Sequence, residues 1–314
     1  MNGTGVAKPY TMAFQLKKNE PLSHGARRII REQTSKVQKC LTLASRGKKT
    51  KVQVHEARKS LKKLRAIHEL FRRDISKKKY HKYTNCYQGV AHHLAPTRDA
   101  DVMIDTLKKL SQLNAGHVPK TVFRKPLQYL QTKSQGLAHG SLKRKDFLHY
   151  NEVLLRNGAA DPKKVWKGLP HRWKTLNQGL KPLYKKSANA FSKTKQERTL
   201  EHFHQWRKSV KQLWYSLRIL KVLEPVTFNS IDHKLSQLEA LLGEDHDFAV
   251  LDQTLRNAGK KIGDATIVLN LIKKRQRVLQ NKALRIGSSF YTKKPSQFTA
   301  FFYTGWEKNV NKNQ

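Results

Sequence analysis

Residues 54–71 read VHEARKSLKKLRAIHELF, and the reading of this stretch decides the fold class. At about 100° per residue, Val54, Ala57, Leu61, Leu64, His68 and Phe71 fall in one arc, as in an amphipathic helix. His55, Arg58, Lys59, Lys62 and Arg65 fill the opposite side, and Glu56 and Glu69 are the only acids. Like charges at i,i+4 repel, so a solvated helix face usually mixes lysine with glutamate. A stripe this cationic costs self-repulsion and calls for an anionic partner.

The stripe occurs twice. Residues 203–220, FHQWRKSVKQLWYSLRIL, superpose on it without a gap. His204 falls on His55, Arg207 on Arg58, Lys208 on Lys59, Ser209 on Ser60 and Lys211 on Lys62. The apolar arc is again filled, by Phe203, Trp206, Val210, Leu213, Leu217 and Leu220. His204, Arg207, Lys208, Lys211 and Arg218 fill the basic one. A second pair of blocks follows at nearly the same offset. LAPTRDADVMIDTL, residues 94–107, aligns with LGEDHDFAVLDQTL, residues 242–255, so that Asp99 meets Asp247 and Val102 meets Val250. Two blocks in the same order predict an internal tandem repeat of two helical units, each a four-helix bundle.

The rest of the chain reads as helix. Ala26, Ile29, Ile30, Val37 and Leu41 have helical spacing after Pro21. Further helices are predicted over about 52–75, 78–94 and 97–115, with Thr97 as N-cap of the last and Asp99 and Asp101 in its first turn. Prolines and glycines punctuate residues 117–175, where helices are read at about 121–135 and 142–156. Leu176, Leu180, Leu183, Tyr184, Ala188 and Phe191 mark another helix. A basic helix over about 264–286 is expected to bury Ile267, Leu271, Val278 and Leu284. No β-branched alternating runs between turn pairs occur. The expected division is a flexible leader at 1–11, a first bundle at about 12–150, a connector at 151–172, a second bundle at 173–305 and a tail at 306–314.

Composition names the partner class. Lys plus Arg is 64 and Asp plus Glu is 22 among 314 residues, a formal net charge of +42. That excess goes well beyond solubility and implies a polyanion: nucleic acid, an anionic membrane surface or inorganic polyphosphate. Two cysteines, Cys40 and Cys86, make neither a disulfide framework nor a metal pattern, which fits an intracellular, cytoplasmic setting. No apolar run approaches the roughly 18 residues of a membrane-spanning helix, so no membrane insertion is expected. No P-loop, dinucleotide fingerprint or metal-ligand cluster appears, so neither a cofactor nor an enzymatic role is expected.

The paired HxxRKxxKxL helices resemble the CHAD family, the conserved histidine α-helical domain. The matching landmarks are HEARKSLKKLR at 55–65, HQWRKSVKQLWY at 204–215, RDADV at 98–102, LLGEDHDFAVL at 241–251 and GLKPLY at 179–184. The resemblance covers about residues 12–305. It implies an all-α fold of two four-helix bundles related by a pseudo-two-fold, with a basic central groove or channel. It also implies non-catalytic binding of inorganic polyphosphate, with targeting to polyphosphate granules a further role. The residues expected to carry it are His55, Arg58, Lys59, Lys62, Arg65, His204, Arg207, Lys208, Lys211 and Arg218. Arginine offers a forked donor set to phosphate oxygens and lysine a mobile point charge. Nucleic-acid binding is the alternative, through charge and through stacking on Trp173, Trp206, Trp214 or Tyr215. Arg98-Asp99 and His246-Asp247 are read as helix caps and inter-helix ion pairs.

Overall fold

A computed structural model describes residues 14–140, 149–153, 155 and 166–310, and the regular elements among them are all helical. The main helices are α1 (Leu22–Ser45), α2 (Thr50–Leu70), α3 (Lys77–His93), α4 (Ala95–Leu113) and α5 (Thr121–Gly140). After the connector come α6 (Trp173–Gln196), α7 (Leu200–Ile219), α8 (Pro225–Ala258), α9 (Thr266–Phe290) and α10 (Pro295–Val310). The fold is all-α. The expected leader at 1–11 lies outside the described residues, as does most of the helix expected at 142–156.

The local signals are those of ordinary helix ends. The Thr199 hydroxyl caps α7 by accepting from the His202 N–H at 3.1 Å. His171 Nδ1, from the connector, accepts the Leu22 N–H at 3.3 Å and so satisfies one free donor at the start of α1. Gly47 (φ 72°) and Lys49 (φ 46°) turn the chain between α1 and α2 in the left-handed region.

Both predicted apolar arcs are buried. On α2 this includes His68, whose Nδ1 donates to the Leu64 carbonyl at 2.8 Å among Tyr83, Tyr87 and Trp166. On α7 it includes Trp206, whose indole N–H reaches the Tyr291 hydroxyl at 3.3 Å. A fully buried Leu, Val or Phe contributes on the order of 1.5–3 kcal/mol of transfer free energy, so these arcs anchor the molecule. α2 packs on α1, α3, α6 and α7; α7 packs on α6 and α8. Thus α2 and α7 touch each other through the middle, and the Ser216 hydroxyl donates to the Ala66 carbonyl at 3.4 Å across the contact.

The buried residues form two clusters, and neither is confined to one half of the chain. The larger joins α1, α2 and α3 to α6, α7, the first part of α8, the end of α9 and α10. The smaller joins α4 and α5 to the last part of α8 and to α9. Each core therefore draws helices from both sides of the connector, where the sequence had suggested one core per half.

Four further expectations are corrected. Thr97 does not cap a helix: α4 starts at Ala95, and its first turn holds no acid. The second copy of that block has no helix start at all. His246 and Asp247 lie inside α8, which runs unbroken for 34 residues. Pro96 lacks the N–H that would continue α3 into α4, and Glu244, its counterpart, has one. On α9 Leu284 is buried as expected and Leu271 is half-buried, but Ile267 and Val278 are exposed and Val268, Ile272 and Leu279 are buried beside them. Residues 306–310 are no tail: Trp306 is buried, 4.9 Å from the His171 ring, and α10 continues to Val310.

Candidate functional site: a basic cavity between two helices

α2 and α7 turn parts of their basic arcs into one cavity of about 670 Å³, closed by α4 and α8. Its cations are Arg58, Lys59 and Lys62 from α2, Arg98 and Lys109 from α4, and Arg207 and Lys211 from α7. Five carboxylates share the wall: Asp99, Asp105, Glu239, Glu244 and Asp247. Charge alone therefore understates the site; what matters is which cations are already matched.

Several are. Lys211 is ion-paired with Glu239 of α8. Burial works against the Glu239 carboxylate, but Lys211 beside it, with Arg207 and Lys62, holds it below the usual range. Glu244 takes Lys109 at 2.6 Å and Arg275 at 2.7 Å. Lys59 bonds Glu56 at 2.9 Å. Arg58 donates to the Ala91 carbonyl at 2.9 Å, and Asp99 stands 3.9 Å away.

Three are not. Lys62, Arg98 and Arg207 form no ion pair among the described residues, and the Arg207 Nε is buried with no acceptor. Burial, followed by the charges of Lys211, Arg207 and Arg58, pulls the Lys62 ammonium down to about 7. A buried, unmatched cation costs several kcal/mol less once an anion reaches it. Lys62 and Arg207 are thus the strained members of the wall.

The histidines divide. His55 lines the cavity, its pKa lowered by burial and by Arg98. His204 does not; its Nδ1 lies 3.2 Å from the Nδ1 of His246, which does line it. That contact needs one donor and one acceptor nitrogen, so the ring that accepts is neutral. Burial pulls His246 down to about 4, with Arg207 adding to the effect, and burial lowers His204 as well.

Of the ten residues expected from the sequence, the cavity unites His55, Arg58, Lys59, Lys62, Arg207 and Lys211. Lys208 is exposed outside the lining, on the side of His204 and His246. Arg65 is exposed and faces Tyr80 on α3. Arg218 lines a different cavity, with its guanidinium 5.4 Å from the Trp214 ring. Arg98, Lys109, Glu239, Glu244 and His246 were missed as site residues. The repeated RDADV and EDHDF blocks were the available signal, and reading them as caps hid it.

No Trp, Tyr or Phe lines the cavity among the described residues. Trp206 is core; Trp214 donates to Asp232 at 2.7 Å outside it; Trp173 packs on Tyr303. No group of three or more His, Cys, Asp or Glu among the described residues is placed to hold a metal ion. No described helix is long and apolar enough to cross a membrane.

Comparison with known proteins adds the following. The family model of the CHAD domain matches residues 28–256. The CHAD domain from the plant Ricinus communis superposes with a TM-score of 0.63 at 13% identity, over 95% of this chain and 97% of that one. PptA from Streptomyces chartreusis superposes with a TM-score of 0.55 at 12% identity, over 86% of this chain and 98% of that one. No curated protein sequence matches.

Proposed function

The chain belongs to the CHAD domain family, and on that premise we propose that it binds inorganic polyphosphate in the cavity between α2 and α7 without cleaving it. The observation that carries this reading is Lys62 and Arg207, which with Arg98 are the cavity's cations without an ion pair, in a cavity lined by no aromatic ring among the described residues. Polyphosphate is a flexible chain with a negative charge on each unit and no base to stack or read. It asks for spaced cations and nothing else. Cations at i,i+4, such as Arg58 with Lys62 and Arg207 with Lys211, lie about 5–6 Å apart at their Cβ atoms, which suits successive phosphates. Release of condensed counterions then adds affinity, by analogy with nucleic acid. The lack of a stacking ring in the cavity among the described residues weighs against a base-reading role there.

The non-catalytic part of the reading rests on the carboxylates. Of the five wall carboxylates, Glu239 and Glu244 are held by Lys211, Lys109 and Arg275 and so balance cations, and Asp99 stands 3.9 Å from Arg58. Binding is expected to serve association of the chain with polyphosphate stores.

Calorimetry with long-chain polyphosphate and with RNA at equal charge concentration and physiological salt tests the reading. Tighter binding of polyphosphate, weakening with added salt, is the expected result. Tighter binding of RNA overturns it, as does release of orthophosphate above background when magnesium is added.

The site also predicts a pH dependence. Lys62 titrates near 7 in the free protein, and a bound polyanion favours its charged form. Binding therefore takes up a proton, and affinity should fall as pH rises from about 6 to 9. Lys62→Arg should remove most of that slope, because arginine stays charged throughout. An unchanged slope in Lys62→Arg would place the titrating group elsewhere.

A further inference from the structure

A second cavity, of about 930 Å³, lies on the other side of α2 and shares no lining residue with the first. It is bounded by α1, α2, the end of α7 and the start of α8, together with Phe14. Its cations have unusual company. Lys63 Nζ sits 5.1 Å from the Phe14 ring centre, the Arg218 guanidinium 5.4 Å from Trp214, and Lys221 Nζ 5.7 Å from Phe228. None of the three has a carboxylate partner among the described residues. The acids around the rim are taken: Glu56 by Lys36 and Lys59 at 2.6 and 2.9 Å, Glu32 by Arg28 at 3.3 Å, and Asp232 by the Trp214 N–H at 2.7 Å. A cation on a ring gains less than a phosphate would give it in a partly desolvated site.

The cavity lining supplies a second, independent demand. Gln33 is 2% exposed, lines the cavity, and its Oε1 is buried without a hydrogen-bond donor. An unmet buried acceptor is unfavourable, and a ligand N–H or O–H would meet it. Apolar wall is present too, from Leu43 and Phe228.

We propose that this cavity binds a small organic phosphate, its phosphate on Lys63, Arg218 and Lys221 and a hydrogen-bond donor of its organic part on Gln33. The volume lies in the range of small-molecule sites. A bare phosphate chain satisfies the three cations and leaves both Gln33 and the apolar wall unused. The site is therefore separate from the polyphosphate cavity in chemistry as well as in position, and Arg218 belongs to it.

Adenosine 5′-monophosphate serves as probe, with adenosine and orthophosphate as arms, each titrated into the full chain by calorimetry. One molecule of the nucleotide per chain is expected, bound at least about tenfold more tightly than either arm, since both the phosphate and the donor are needed. Lys63→Gln/Arg218→Gln should weaken the nucleotide at least about tenfold while leaving retention of long-chain polyphosphate unchanged. Gln33→Leu should weaken the nucleotide and leave orthophosphate as it was, with the helical circular dichroism signal confirming the fold. Equal binding of nucleotide and orthophosphate overturns the proposal. So does loss of nucleotide binding in Arg58→Gln/Arg207→Gln and not in the Lys63/Arg218 variant. Failure of polyphosphate binding in the parent chain would sink the first cavity's reading and leave this one standing.

Discussion

Reversing four charges, Arg58→Glu, Lys62→Glu, Arg207→Glu and Lys211→Glu, is expected to lower polyphosphate affinity by at least about a thousandfold. A hydrogen bond to a charged group is worth about 1.5–3 kcal/mol, so losing four comfortably exceeds the roughly 4 kcal/mol that a thousandfold represents. Repulsion from four new carboxylates adds to the loss. The fold should survive, because all four side chains face the cavity and the apolar arcs of α2 and α7 are untouched. Calorimetry measures the loss, and the far-UV helical signal checks the fold. Single glutamine variants should rank by how far each cation is already matched. Lys62→Gln and Arg207→Gln should weaken binding most, because those two form no ion pair among the described residues. Lys211→Gln should weaken it least, because a phosphate there must displace Glu239. Binding that persists in the fourfold variant would move the site elsewhere on the molecule.

Gly179→Ala is expected to be the most damaging single-methyl change in the chain. A Cβ at Gly179 would stand 1.7 Å from the Leu70 carbonyl oxygen and 2.6 Å from its carbon. Both are backbone atoms at the end of α2, so no side chain can swing aside; α6 and α2 must separate. Alanine gains about 1 kcal/mol in helix propensity over glycine. Overpacking of a core by one methyl typically costs about 1–3 kcal/mol, and a clash with backbone belongs at or above the top of that range. A net loss of about 2 kcal/mol or more should lower the thermal midpoint by at least about 4 °C, given about 2–4 °C per kcal/mol for a large domain. Differential scanning calorimetry reads it directly. A midpoint within one degree of the parent would mean that α6 and α2 can part at little cost. The landmark GLKPLY thus has a packing reason at its first residue, and that packing sets where α2 presents its basic side.

The arcs of α2 and α7 were legible because a period of 3.6 and a two-sided residue choice describe the same helix from either face. The position of the stripes in one cavity was legible only through their duplication. What the sequence hid depends on contacts between distant segments. The pairing of Lys211 with Glu239, and of Lys109 with Glu244, joins different helices, and no spacing along the chain records it. On α9, Ile267 next to Val268 and Val278 next to Leu279 offer two adjacent apolar stripes; the neighbours α5 and α8 select one, and the other is left exposed. The break between α3 and α4 was readable from Pro96, but carrying it over to the second copy failed, because glycine and glutamate there keep every N–H that the helix needs.

That unbroken α8 gives the molecule a shared spine. At about 1.5 Å per residue its 34 residues extend for about 51 Å. One end is embedded in the larger core through Phe228, Leu235 and Leu238, and the other in the smaller core through Phe248, Leu251 and Leu255. Glu239, Glu244 and Asp247, which wall the cavity, lie in the span between those footings. A ligand drawn against that span presses on a beam fixed at both ends. A shift of that span would have to disturb the packing of both cores, because the same helix is buried in each.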